Sequence, residues 1–318
     1  MNYRHLINTL LFVIGFSAIS FASHFSGASL TYEYIGPNQY LVKLEIYRDC
    51  EGVAAGASQV VNYSSASCGV NASITVNLQS TTDITPLCPS ATSACSGGNN
   101  IGIQHLVYTG ILNLPPGCAD WVLSTSSCCR NAAITNLTGA SNQSIYIEAH
   151  LNNTSGVFDT SPAFSSVPQF FGCVGQTINF QQLAYDIDGD SLVYSLVNGL
   201  QTASSSVTYA GGFSGVNPFT VPLTLNPQTG QITFTPNTTQ VAVVAVRIDE
   251  YRNGVLIGSI MRDIQFIISP CTNTIPTLSG INGTAGVYST TICAGANICF
   301  NVNSNDPDGG QNVTLVYS

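Results

Sequence analysis

Asp186-Ile187-Asp188-Gly189-Asp190 crowds three carboxylates into five consecutive residues. Charges that close repel one another unless water or a cation screens them. Calcium suits such a loop, because it takes roughly six to eight oxygen ligands in loose geometry from carboxylates and carbonyls. The loop is not an EF-hand: Gly189 comes too early, and Val197 stands where the bidentate Glu belongs. Asp249 and Glu250 end an expected strand and complete the shell if the fold brings that end near. The expected calcium ligands are thus Asp186, Asp188, Asp190 and Glu250. The alternative is an acidic, solvated hairpin, since Asp-Gly often simply makes a turn.

The loop belongs to an internal repeat. Cys173-x4-Ile178-x-Phe180-x5-Asp186-x-Asp188-Gly189 recurs as Cys293-x4-Ile298-x-Phe300-x5-Asp306-x-Asp308-Gly309, offset by 120 residues at every matched position. The second copy keeps Asp306 and Asp308 but has Gly310 in place of the third Asp, so its calcium site is expected to be weaker or absent. Leu192-Val193-Tyr194-Ser195 is answered by Leu315-Val316-Tyr317-Ser318, so the second copy reads as a unit cut short.

The chain has 11 cysteines. Arg4 and His5, the apolar run Leu6 to Phe16 and the small residues up to Ala22 have the order of a secretory leader, so residues 1–22 are expected to be removed on export. In an oxidising compartment the cysteines read as disulfides. Cys173 and Cys271 are expected to bridge their unit end to end, a link worth about 4.7 kcal/mol in the chain-entropy account. Cys88 and Cys95 are expected to staple a Ser/Thr/Gly-rich excursion locally. A zinc site at Cys118, Cys128 and Cys129 lacks the CxxC pairs and nearby histidines that such sites use.

Composition narrows the function classes. Charged residues make up 7% of the 318, with 7 basic against 16 acidic and a formal charge of −9. A coiled coil needs far more charge on its outer face, and nucleic acid needs a basic run that is absent. No later segment is long and apolar enough to span a membrane. GxSxG, HExxH, Walker and GxGxxG patterns are missing, and His150 falls on the polar side of its strand, so no enzyme is expected. Glu45 and Asp49 carry no spacing that marks a glycosidase pair.

The elements that must position these residues are strands. Alternating Tyr40, Val42, Leu44 and Ile46, and Ile145, Ile147, Ala149 and Leu151, predict half-buried strands. Further strands are expected at 177–181, 191–197, 231–235, 240–250 and 255–269, the last with Ile264, Phe266 and Ile268 inward and the other face wet. Asn226-Pro227-Gln228-Thr229-Gly230 reads as a turn and Asn253-Gly254 as a two-residue hairpin. Trp121 reads as ordinary core packing. The expected architecture is all-β: disulfide-stapled β-sandwich domains in tandem, at residues 23–159 and 160–272, with a further unit begun at 273–318.

Tyr185 to Leu192 together with Asn226 to Ile232 resembles the cadherin-like repeats of bacterial surface proteins. Val246-Arg247-Ile248-Asp249-Glu250-Tyr251-Arg252-Asn253-Gly254 and Arg262-Asp263-Ile264-Gln265 are similar to segments of large exported proteins with gliding-motility-associated or PKD-type domains, which leave the cell by type IX secretion. Ser23-His24-Phe25-Ser26-Gly27, Tyr47-Arg48-Asp49-Cys50 and Cys128-Cys129-Arg130-Asn131 resemble the N-terminal domain of those proteins. The resemblance implies Ig-like sandwiches on or outside the cell surface, acting as stalk, adhesin or matrix component, with an extracellular surface, glycan or protein as partner. The other expectation is a carbohydrate-binding module that stacks sugars on Tyr32, Tyr34 and Tyr47.

Overall fold

The computed structural model describes residues 25–87, 91–154, 157–165, 167–168, 171–272, 274, 276–284, 287, 298–308 and 313. The expected leader at 1–22, Cys88, Cys293, Gly310 and the segment 315–318 lie outside them. Among the described residues there is no α-helix, and hence no helix long and apolar enough to cross a membrane. The fold is all-β.

Seven strands come first: β1 (Phe25–Gly36), β2 (Gln39–Asp49), β3 (Ser58–Ser65), β4 (Val70–Asp83), β5 (Ile103–Asn113), β6 (Trp121–Ser127) and β7 (Ile145–Leu151). Short pieces follow at β8 (Ala163–Phe164), β9 (Phe171–Cys173), β10 (Ile178–Gln181) and β11 (Ala184–Tyr185). Next come β12 (Ser191–Val197), β13 (Leu200–Thr202), β14 (Ser205–Ser206), β15 (Thr224–Leu225) and β16 (Gln231–Phe234). The long β17 (Gln240–Arg252) and β18 (Val255–Ser269) form a hairpin, and β19 (Thr277–Leu278) and β20 (Ser304–Asn305) end the described fold. Asn253 and Gly254 turn that hairpin with φ of 53° and 79°, the left-handed conformation that such two-residue turns require.

The hydrogen-bonded order β18-β1-β2-β5-β4-β3-β6-β7 closes on itself, because β7 returns to β18 through Leu151↔Gly258, His150↔Ser259 and Ala149↔Ile260. Closure removes the open edges that an isolated sheet would expose. Leu30, Val42, Leu44, Val61, Val76, Tyr108, Trp121 and Leu123 are fully buried or nearly so in one apolar cluster. Trp121 is packed there as core, with Nε1 donating to Asn153 Oδ1 at 3.0 Å.

The hairpin β17–β18 also belongs to a second layer. The small sheet β10-β16-β15 covers one of its faces, where Phe180, Phe219 and Phe234 bring their rings within 6.0 Å of Phe266. The expected domain boundary at 159/160 therefore does not separate the strands. β18 lies in the later unit by sequence and closes the ring of the earlier one.

The face of β18 expected to be wet is buried: Met261, Asp263, Gln265 and Ile267 are all below 10% exposed. The segment after β6 covers it. Asn136 there hydrogen-bonds to both the Val243 amide and carbonyl, and Ile134 and Leu137 pack on Val243. Cover on both faces explains why β17 reads as an unbroken apolar run from Val241 to Val246. A charge in such a place must be paired. Arg130 Nη1 and Nη2 donate to Asp263 Oδ1 and Oδ2 at 2.9 and 2.7 Å, with both side chains buried.

Among the described residues four disulfides are formed, Cys50–Cys95, Cys68–Cys118, Cys128–Cys129 and Cys173–Cys271. The Cys88–Cys95 staple is thereby corrected. The excursion after β4 folds back on the end of β2, where the Cys50 amide donates to the Gly102 carbonyl, and this sets the Cys50 and Cys95 Cα atoms 5.0 Å apart. Cys118, Cys128 and Cys129 are all consumed in disulfides.

Candidate acidic cation site

Three chain segments remote in sequence bring carboxylates together where the ring meets the second layer. The turn between β11 and β12 supplies Asp186, Asp188 and Asp190. The end of β17 supplies Glu250, and the chain after β7 supplies Asp159. Their oxygens form two groups with ligand atoms within 4.8 Å of one another: Asp186, Asp190 and Glu250, and Asp159, Asp188 and Asp190.

The second group already holds a cation. Arg252, two residues past Glu250 and on the same side of β17, reaches Asp159 at 3.1 Å, Asp188 at 3.5 Å and both oxygens of Asp190. The Tyr32 hydroxyl lies 2.9 Å from Asp159 Oδ2 as its donor, and the Thr160 amide donates to Asp188 Oδ2 at 2.8 Å. Burial still pushes Asp159 up to about 6, with the nearby Asp190 and Asp188 adding to it against the Tyr32 bond and the Arg252 charge. Burial first, and then the Asp159 and Glu250 charges, raise the Tyr32 hydroxyl as well.

In the first group the same Arg252 neutralises Asp190 but does not reach Asp186 or Glu250. Glu250 is 0% exposed, and neither of its oxygens has a hydrogen-bond donor. Asp186 Oδ1 accepts the Asp190 amide at 2.9 Å, while its Oδ2 is buried without a partner. A buried carboxylate that faces the shielded oxygen of a half-buried one is costly unless something positive joins them. Burial, then the facing Asp186 carboxyl and the Asp159 and Asp190 charges, push Glu250 far above the usual carboxylate range. Without a metal the pocket must take up a proton; with one, the same oxygens become ligands.

Gly258, opposite Glu250 across the hairpin, makes the room. A Cβ there would lie 2.7 Å from Glu250 Oε2 and 2.7 Å from the Tyr32 hydroxyl. The donor set is all oxygen and all carboxylate, the chemistry calcium prefers, and waters can supply the remaining positions. The residues present fit a divalent cation.

The structure thus brings together Asp186, Asp190 and Glu250 from the expected set. Asp188 stands apart from that triangle, held by Thr160 and Arg252. Asp249 faces away, as neighbours along a strand must, and pairs with Arg247 at 2.6 Å. Asp159 carried no motif in the sequence; only its place just after β7 brings it here.

The second copy repeats the local geometry. β20 pairs β19 as β11 pairs β8, and the Thr274 amide donates to Asp308 Oδ2 as Thr160 does to Asp188. Asp306 Oδ1 accepts the Asp308 amide at 2.9 Å. Among the described residues, no group of three potential metal ligands includes Asp306 or Asp308.

The tyrosines expected to stack sugars do not form a platform. Tyr32 and Tyr47 are 2% and 0% exposed, Tyr32 inside the ring and Tyr47 stacked at 4.9 Å on His105. His150 lies 3.1 Å from Glu148 and is partly exposed. No protein-family model, curated protein or solved structure matches the chain.

Proposed function

We propose that this chain is a secreted or cell-surface structural and adhesive protein, in which calcium bound by Asp186, Asp190 and Glu250 stiffens the junction between its two β layers. The observation that carries this reading is Glu250, wholly buried and without a hydrogen-bond donor on either oxygen, facing Asp186. An ion there ties the β11–β12 turn to the end of β17. Through Asp190 and Arg252 it also acts on Asp159, at the crossing from the first ring strands to the second layer. A binder that favours the folded state stabilises it by mass action. The disulfides and the leader-like sequence at 1–22 support an extracellular setting, where calcium is plentiful.

The test is thermal unfolding of the oxidised protein with millimolar calcium and again after chelation, beside terbium luminescence as a direct measure of occupancy. At about 100 times the dissociation constant, calcium adds roughly 2.7 kcal/mol, a rise of several degrees. Glu250→Gln should abolish both the rise and the terbium signal. No rise in the unaltered protein, with no terbium signal, would remove the metal from the account.

A further inference from the structure

Two clefts meet beside the acidic junction. The larger, of about 520 Å³, is walled by Tyr34, Phe158 and Tyr185 together with Thr31, Lys43 and Asp188. The smaller, of about 360 Å³, opens on the other side of Tyr34 and Phe158 and includes Asn38 and Asn153. Tyr34 and Phe158 line both, their rings 5.2 Å apart and tilted by 41°, so they form a ridge between two basins of one groove. Phe158 is 60% exposed and Tyr185 53%. A concave surface lined by aromatic rings with a few polar groups among them is the form that small-ligand sites take.

The walls select the occupant. A purely apolar ligand would strand the hydroxyls that line both basins, the Glu33 and Asp188 carboxylates of the larger and the Asn38 amide of the smaller. An anionic ligand would meet Glu33 and Asp188, while Lys43 is already held by Glu45 at 3.1 Å. A saccharide meets both demands: its C–H faces stack on rings, and its hydroxyls donate to carboxylates and accept from amides and ammonium. The ridge between two basins suits a chain of sugar units better than a single one.

We infer that this groove binds a neutral oligosaccharide, with Tyr34, Phe158 and Tyr185 as stacking surfaces and Asp188 and Asn38 as hydrogen-bonding partners. These rings replace the buried Tyr32 and Tyr47 as the sugar-facing residues. The inference stands apart from the calcium reading, because none of the three rings belongs to the Asp186, Asp190 and Glu250 triangle.

The probes are cellohexaose, laminarihexaose and mannohexaose, with polygalacturonate as the anionic comparator, each titrated calorimetrically into the oxidised protein with calcium present. At least one neutral hexasaccharide should saturate, and Phe158→Ala and Tyr185→Ala should each weaken it at least ten-fold. Both side chains are more than half exposed, so unchanged melting temperatures would show that the variants fold. Ile111→Ala, at an exposed strand position outside both clefts, should leave affinity unchanged. The inference is overturned if no neutral hexasaccharide saturates, if the two aromatic variants bind as tightly as the unaltered protein, or if polygalacturonate binds more tightly than all three. Retention of the terbium signal in such a case would leave the calcium reading standing.

Discussion

The turn at Asp186–Asp190 and its counterpart at 306–310 are near copies in sequence and, where both are described, in structure. Each is preceded by a two-residue strand pair in the same register, Ala184↔Phe164 and Tyr185↔Ala163 against Ser304↔Leu278 and Asn305↔Thr277. In each, a threonine amide from the chain before the unit binds the second aspartate. The copies part in what reaches them from elsewhere. Glu250 and Arg252 arrive at the first from β17, and Asp159 from the chain after β7. By sequence Asn273 precedes Thr274 where Asp159 precedes Thr160, and Gly310 replaces Asp190. An Asp-Gly loop is thus half a site. A distant buried carboxylate, Glu250, gives only the first copy a third potential ligand among the described residues.

That contrast can be broken at its anchor. The hairpin that delivers Glu250 is tied to the rest of the ring by Arg130 and Asp263. Removing one partner of a buried pair leaves the other unpaired, so Asp263→Ala should cost about 3–5 kcal/mol in urea unfolding. A loss below about 1 kcal/mol would mean that the first copy does not depend on this tie.

Acid acts on the ring through Glu45. Burial alone would raise Glu45, but the hydrogen bond from His105 and the charge and bond of Lys43 outweigh it and hold the carboxyl at about 2. Its folded value lies below the unfolded one, so its contribution is complete above about pH 4.5 and is lost as pH falls toward 2. The difference corresponds to roughly 3 kcal/mol. Glu45→Gln should flatten the stability profile in that window.

Within the first copy, Glu250→Gln should erase the calcium-linked stabilisation of about 2.7 kcal/mol at saturation. Gly258→Ala drives a Cβ against Glu250 and the Tyr32 hydroxyl, and overpacking of this kind costs about 1–3 kcal/mol. Calcium should recover less of the stability lost in that variant than in one altered outside the site. The smallest effect belongs to the second copy. Asp308→Asn should change stability by less than about 0.5 kcal/mol and leave the terbium signal intact. A larger response would show that the second loop is completed after all.

Much of the site's frame was legible before the fold was known. The Asp-rich turn, the strand that ends in Glu250 and the Asn253-Gly254 hairpin each depend on a few neighbouring residues, and each is where its local pattern puts it. Asp159 was not legible, because nothing beside it in sequence differs from a plain loop. Asp188 falls in the neighbouring group with Asp159 and Asp190, beside Arg252 and Thr160, and Asp249 is turned away by strand alternation. Tyr32 and Tyr47 sit on strands whose alternation cannot say that both faces will be covered.

Backbone conformation is decided locally, through steric limits on φ and ψ, the period of two along a strand and the left-handed tolerance of Asn and Gly, so the sequence by itself determined an all-β chain with its turns in place. Burial and pairing depend on which remote segment lands on a given face. Tertiary structure alone decided that β18 closes the ring of an earlier unit and that Cys95 meets Cys50. It also decided that Asp263 finds Arg130, while Glu250 is sealed against Asp186 without a partner. The alternation of a strand gives two faces, and only packing says what covers each.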